Sequence, residues 1–221
     1  MGKSFDPRLY LVIGPENCAH YTILEVVRQA LEGGITLIQY RDKYSDTDTQ
    51  VQNVVSLMNV AKEFQVPVLV NDRPDVAKQA EADGVHLGQS DEGVQQARIL
   101  LGKNAIIGLT VKNESHIKTA PIESLDYLGI GGVCPTESKV NPDAPLGVNG
   151  LLEMLKVSRA YGDLPTTAIA GIDESNCDAI AATGVNGLAV VSAICGQVDP
   201  KTATQRLRQK IDPFFEKGIA V

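Results

Sequence analysis

Short runs of apolar, β-forming residues recur eight times along this chain, and a stretch with helical spacing of apolar residues follows each run. Residues 66–91 show the unit clearly, because two such runs flank one helical stretch. A strand, a helix and a second strand in this order form a right-handed βαβ unit with parallel strands. Eight such units predict a single (β/α)8 TIM barrel of the α/β class. An open doubly wound sheet fits less well, since the first run ends in Gly14-Pro15-Glu16 and not in a glycine-rich fingerprint.

The apolar periodicity also gives the expected positions of the elements. For the second helix, Thr47 and Gln50 predict a capping box, with Val51, Val54, Val55 and Met58 on its buried stripe. The predicted strands are residues 9–13, 35–39, 67–70, 84–88, 105–109, 127–130, 167–170 and 187–191. The main predicted helices are residues 21–31, 47–64, 94–101, 150–160, 174–183 and 200–214, with shorter ones near residues 76–80 and 115.

Length and charge limit the classes of protein to which the chain can belong. Its 221 residues suit one barrel domain spanning 1–221, with a core large enough to need no disulfide. The net charge of -7 argues against nucleic acid or an anionic membrane as a partner. There is no unbroken run of 18 apolar residues, no signal-like N-terminal segment and no CxxC pair among the four cysteines. We therefore expect a cytoplasmic protein.

In a barrel of this kind the active site lies in the loops that follow the strands. Asp72 and Asp91 follow neighbouring parallel strands and should emerge side by side. Two carboxylates placed in this way suit Mg²⁺, which takes its other ligands from water and substrate phosphates. Arg41, Lys43 and Lys139 are expected on the same face, so the sequence predicts a diphosphate bound partly through the metal.

A second anion site is expected after the seventh and eighth strands. Gly171 allows close approach to backbone N–H groups, and Val191-Ser192 adds further amides and a hydroxyl. Loops at these two positions commonly bind a phosphate in such barrels. The sequence therefore predicts two separate anion sites, one for a metal-bound diphosphate and one for a monophosphate.

Five motifs in fixed order and spacing resemble those of the thiamine-phosphate synthase family, over nearly the whole chain. They are Gln39-Tyr40-Arg41-Asp42-Lys43, Val70-Asn71-Asp72-Arg73, the segment 82–91 ending in Gln89-x-Asp91, the segment 129–139 containing Pro135-Thr136-x-Ser138-Lys139, and Ala189-Val190-Val191-Ser192-Ala193-Ile194. Several positions depart from the commonest pattern of the family, among them Arg73, Gly132, Cys134 and Ser138. Thr110 replaces a usual serine, and Ala170 stands where a glycine is common.

The resemblance implies a reaction. Family members join the diphosphate of 4-amino-2-methyl-5-hydroxymethylpyrimidine to a thiazole phosphate, which can be carboxylated, and give thiamine phosphate and pyrophosphate. Pyrophosphate is thought to leave first, so that the thiazole nitrogen attacks a pyrimidine-methyl cation.

The resemblance also implies roles for individual residues. Asp72 and Asp91 would bind Mg²⁺, and the catalytic residues would be Arg41, Lys43, Thr110 and Lys139. The substrate-binding residues would be Gln39, Tyr40, Arg41, Asp42, Lys43, Asn71, Thr110, Thr136, Glu137, Ser138, Lys139, Gly171, Val191 and Ser192.

Some alternatives stay open at this stage. A thiazole tautomerase resembling the synthase, or a non-catalytic protein that binds thiamine intermediates, would share the fold, but neither needs the metal seat at Asp72 and Asp91. His86 is expected to be a wall residue of the barrel without direct chemistry. Asp42 is expected either to contact substrate or to position its cationic neighbours. The sequence leaves the oligomeric state open and allows a homo-oligomer.

Overall fold

The computed structural model describes residues 5–91, 93–136 and 144–215. Eight parallel strands follow one another around a closed barrel, and β8 pairs with β1 to complete it. This architecture confirms the predicted (β/α)8 barrel. The prediction that residues 1–221 form one domain stays a prediction. The strands are β1 (Leu9–Ile13), β2 (Leu37–Tyr40), β3 (Val68–Asn71), β4 (Gly84–Leu87), β5 (Ile106–Val111), β6 (Tyr127–Gly131), β7 (Thr166–Ile169) and β8 (Gly187–Val190).

Helices alternate with the strands and cover the barrel. No helix in the described residues is both long and apolar enough to cross a membrane. Within that part of the chain the α-helices are α1 (Ile23–Gly33), α2 (Thr47–Lys62), α3 (Pro74–Gln79), α4 (Val94–Leu101), α5 (Glu114–Thr119), α6 (Gly147–Tyr161), α7 (Cys177–Ala181), α8 (Ser192–Cys195) and α9 (Pro200–Phe215).

The N-cap of α2 differs from the prediction by one residue. Asp46 is the N-cap, and its side chain accepts a hydrogen bond from the Thr49 N–H at 2.8 Å. A carboxylate at this position satisfies a free amide and interacts favourably with the helix dipole, so it displaces Thr47 as the cap. The predicted capping box is therefore wrong, and Gln50 is buried with its amide donating to the Ser45 carbonyl. Val55, expected on the buried stripe, is 41% exposed.

Two apolar layers hold the barrel. The larger lies between the strands and the helices and includes Ile38, Tyr40 and Val85. The smaller fills the barrel interior with alternate strand residues, which point inward because side chains alternate along a strand. It stacks Tyr10, Leu37, Leu69, Ile106, Tyr127 and Ala189. This interior cluster forms the floor beneath the carboxyl ends of the strands, where the candidate site lies.

Candidate functional site

A pocket opens at the carboxyl ends of the strands, above the interior cluster. Half of its lining comes from predicted site residues: Gln39, Arg41, Asn71, Thr110, Thr136, Gly171, Val191 and Ser192. The other half, not predicted, consists of Tyr10, Val12, Asn17, His86, Ile169, Ala170, Ile172 and Ala189. The strand-end loops thus converge on one cavity. Glu137, Ser138 and Lys139 lie outside the described residues.

An acidic pair stands next to this pocket. Asp72 follows the pocket residue Asn71 directly, and its backbone takes a left-handed conformation (φ 60°) that aspartate tolerates better than most residues. The Asp72 carboxylate forms an ion pair with the Lys43 ammonium. Asp91 Oδ2 accepts a hydrogen bond from the Gly88 N–H at 2.6 Å. Both carboxyls therefore stand at the ends of neighbouring strands, β3 and β4.

The two carboxyls interact with each other. Burial raises the pKa of Asp91 above its usual range, and a hydrogen bond with Asp72 raises it further. Burial acts against the charge on Asp72 as well, but hydrogen bonds with Asp91 and Lys43 outweigh it and lower the pKa of Asp72. Of two neighbouring carboxyls, one resists ionisation because the other already carries a negative charge. A bound cation would offset that charge and let both ionise, so the pair suits a cation site. Within the described residues no three His, Cys, Asp or Glu side chains form a metal cluster. Asp72 and Asp91 together match the one or two carboxylates that Mg²⁺ prefers.

Two of the three predicted cations lie at this end of the barrel, and each has an acidic partner. Arg41 lines the pocket, and its Nη1 atom lies 3.3 Å from Oε1 of Glu16, in the loop after β1. Lys43 pairs with Asp72. Both pairs are accessible to solvent, so each contributes little to stability, and an incoming anion can compete for the cation.

Tyr40 and Asp42 support the loop that carries these cations. Neither lines the pocket, and both are buried. The Asp42 carboxylate accepts hydrogen bonds from the Tyr40 hydroxyl at 2.8 Å and from the N–H groups of Tyr44 and Ser45 at 2.9 and 3.0 Å. Asn53 of α2 donates to the Tyr40 hydroxyl at 3.0 Å. These contacts fix the turn between β2 and α2, on either side of Asp42.

The loops after β7 and β8 form the other wall. Gly171 has φ 67°, and a Cβ there would overlap Cys134 and the Pro135 carbonyl, so only glycine fits. Ala170 also has a positive φ, 76°, which gives a physical reason for the glycine that is common at this position. Asn176 donates to the Gly171 carbonyl at 2.8 Å and holds the turn. Ser192 is exposed at the start of α8.

Polar side chains also reach the pocket from inside the barrel, and the hydrogen bonds that join them were not predicted. Thr110 was expected to follow the fifth strand but lies within β5, and its hydroxyl is 2.7 Å from Nε2 of His86. Nδ1 of His86 is 2.7 Å from the Tyr127 hydroxyl. His86 is a wall residue, as predicted, but it also lines the pocket. The signal that could have revealed this group is the recurrence of polar residues at inward positions of otherwise apolar strands.

Comparison with known proteins adds an independent line of argument. A family model described as thiamine monophosphate synthase matches residues 9–194. The thiamine-phosphate synthase of Vibrio campbellii is 42% identical over 200 residues, which cover 90% of this chain and 96% of that protein. The solved structure of thiamine phosphate pyrophosphorylase from Pyrococcus furiosus has a TM-score of 0.82 and 34% identity, and covers 94% of this chain and 96% of that one. A 3-hexulose-6-phosphate synthase, with a TM-score of 0.62 and 19% identity, shares the fold.

Proposed function

The chain belongs to the thiamine-phosphate synthase family of transferases, and we propose that it couples a pyrimidine diphosphate to a thiazole phosphate with release of pyrophosphate. The products are thiamine phosphate and pyrophosphate, and the thiazole substrate includes its carboxylated form. The observation that supports this most is that one pocket has two walls able to bind anions, each built from a different kind of group. One wall carries Arg41, with Lys43 and the acidic pair next to the pocket, and the other wall carries Gly171 and Ser192.

The first wall suits a diphosphate leaving group. Arg41 and Lys43 would exchange Glu16 and Asp72 for diphosphate oxygens, and the Thr110 hydroxyl and Asn71 amide would add hydrogen bonds from the pocket floor. These contacts strengthen as charge builds up on the departing group, which lowers the barrier to its release. When bound by Asp72 and Asp91, Mg²⁺ would neutralise part of that charge. From the sequence resemblance, Lys139 would complete this set.

The second wall suits the monophosphate of the thiazole. Thr136, Gly171, Val191 and Ser192 line it with small side chains, hydroxyls and accessible backbone. Binding both substrates in one pocket brings the thiazole nitrogen to the carbon that loses pyrophosphate. Positioning of this kind supplies much of the acceleration in a reaction that needs no general base.

Nucleophilic catalysis by Cys134, in the loop after β6, has less support. Burial raises the pKa of the Cys134 thiol, and the charge of Asp173 raises it further, so the thiol stays protonated near neutral pH. A dissociative route, in which pyrophosphate leaves before the thiazole attacks, needs no such nucleophile. The acidic pair and its lysine would also be superfluous in a thiazole tautomerase or in a protein that only binds thiamine intermediates.

All four cysteines are free thiols, as suits a reducing compartment, and we place the reaction in the cytoplasm. The proposed partners are the two small-molecule substrates.

The proposal is tested by incubating the protein with both substrates and Mg²⁺ and identifying products by mass spectrometry. We expect thiamine phosphate and pyrophosphate in equal amounts, and loss of both with Asp72→Asn, because asparagine keeps the left-handed backbone but removes a charged ligand. Asp75→Asn is the matched control, since this carboxylate lies three residues further on and pairs with Arg73. Absence of thiamine phosphate with the unaltered protein would refute the proposal.

A further inference from the structure

Five side chains form a continuous chain of hydrogen bonds through the barrel interior, termed here the buried relay. The Gln39 amide nitrogen lies 2.6 Å from the Tyr10 hydroxyl, which lies 2.9 Å from the Tyr127 hydroxyl. From there the relay continues through both ring nitrogens of His86 to the Thr110 hydroxyl, with two contacts of 2.7 Å. Its two ends, Gln39 and Thr110, both line the pocket, whereas Tyr127 does not.

Backbone glycines make room for the relay. A Cβ at Gly108 would overlap the Tyr127 ring, and one at Gly129 would lie 3.0 Å from Cε1 of His86. Both rings therefore stand directly over strand backbone, with ring centroids 5.4 Å apart. The relay thus occupies a fixed position, because the neighbouring strands leave it no space to move.

The links of the relay depend on one another. Burial raises the pKa of both Tyr10 and Tyr127, so each phenol keeps its proton and has one to donate. A neutral imidazole also has one proton, on one of its two nitrogens. Each interior member can therefore accept on one side and donate on the other, which gives the relay a single direction when every proton is used within it.

The Gln39 amide sets that direction. Its nitrogen faces Tyr10 and can only donate. In the arrangement that uses every proton within the relay, Tyr10 donates to Tyr127 and Tyr127 donates to Nδ1 of His86. The His86 proton is then on Nε2 and points at the Thr110 oxygen. As a result the Thr110 hydroxyl keeps its own proton free to donate into the pocket.

We propose that Tyr10, Tyr127 and His86 are positioning residues that hold the Thr110 hydroxyl as a hydrogen-bond donor to the substrate. The role rests on the proposed function, in which Thr110 faces a diphosphate that accepts hydrogen bonds and gains negative charge as it leaves. In the opposite direction Thr110 would donate to His86 and present only lone pairs to that anion. Aligned hydrogen bonds also polarise one another, which makes the terminal donor stronger.

The first test concerns the direction of the relay and needs no substrate. Long-range ¹H–¹⁵N correlation of the imidazole rings reports the tautomer of each of the three histidines, and His86→Gln assigns the signal. We expect His86 to carry its proton on Nε2. Gln39→Glu, measured at pH 8.5 so that the new carboxylate accepts from Tyr10, should move the proton to Nδ1. A proton on Nδ1 in the unaltered protein, or no change in Gln39→Glu, would overturn the proposal.

The second test asks whether the relay acts through Thr110. Tyr127→Phe should lower kcat about tenfold with little change in KM. The reason is that the hydrogen bond from the Thr110 hydroxyl to the charged diphosphate loses its orientation. In a Thr110→Val background the same substitution should have no further effect, whereas in a Thr110→Ser background, which keeps the hydroxyl, it should still lower kcat. Tyr161→Phe, at an exposed tyrosine, is the matched control and should be silent.

The outcomes of the second test separate the relay from the proposed function. Losses that multiply in the double variant would mean that Tyr127 acts by another route, and the positioning role would be rejected. If the unaltered protein releases no pyrophosphate, the proposed function fails, and the tautomer measurement alone then decides whether the directed relay exists. Thermal melting confirms that each variant is folded before its rate is compared.

Discussion

Replacement of Asp42 by asparagine should destabilise the protein in a way that depends on pH. Burial by itself would raise the pKa of this carboxyl, but hydrogen bonds from Ser45, Tyr44 and Tyr40 outweigh it and lower the pKa from 3.8 to about 2. The side chain is only 7% exposed. Lowering the pKa from 3.8 to about 2 corresponds to about 2.5 kcal/mol of folding free energy, since one pKa unit is worth about 1.4 kcal/mol.

The sign of the effect follows from the direction of the shift. Because the pKa in the folded state is lowered, the stabilisation is fully present above pH 3.8 and is lost as the pH falls through about 2. About half of it should remain at pH 3, and little at pH 2. Asparagine has no charge to lose, so the stability difference between the two proteins should shrink over the same range.

Urea unfolding of both proteins at pH 7, 3 and 2 measures this difference directly. Asp163→Asn, at an exposed aspartate far along the chain, is the control for a change in net charge. The variant should also bind pyrimidine diphosphate more weakly, because Asp42 holds the turn between Arg41 and Lys43. A difference below about 0.5 kcal/mol at pH 7, or one that does not vary with pH, would refute the reasoning.

Three further predictions concern the site and its floor. Asp72→Asn and Asp91→Asn should each lower turnover at least about a hundredfold, through loss of a metal ligand, with little change in Tm; near-normal rates across a Mg²⁺ titration would refute the metal assignment. Ser192→Asp should abolish thiazole phosphate binding but spare pyrimidine diphosphate, because the new charge repels only the nearby anion; equal loss of both in calorimetry would contradict two separate sites. Thr167→Val should raise the free energy of unfolding by about 1 kcal/mol, because its buried hydroxyl has no hydrogen-bond partner in the described part of the chain; chemical denaturation with an unchanged or lowered value would argue against this.

The sequence predicts the barrel well because its signals are local. The apolar runs mark every strand end to within two residues, and α4 begins and ends as predicted. Placing the site at the strand ends required only the topology, which brings Gln39, Asn71 and Ser192 to one pocket although they are far apart in the chain.

The missed features depend on contacts between distant residues. His86 meets Thr110 and Tyr127 only because β4, β5 and β6 adopt one register, which no local pattern specifies. The cap of α2 was misplaced for a different reason, since Asp46 and Thr47 are both good caps and only the observed geometry distinguishes them. The sequence also did not predict the ion pairs of Arg41 and Lys43. The partner of Arg41 is Glu16, which lies on a loop whose path is set by packing.

The most direct test of the account is a single-turnover rapid-quench experiment with enzyme in excess over pyrimidine diphosphate, in the presence of Mg²⁺ and thiazole phosphate. Pyrophosphate and thiamine phosphate are measured in the same samples. A dissociative mechanism predicts that pyrophosphate appears no later than thiamine phosphate, and that both reach one equivalent per pyrimidine diphosphate. Full binding of both substrates without release of pyrophosphate would contradict it.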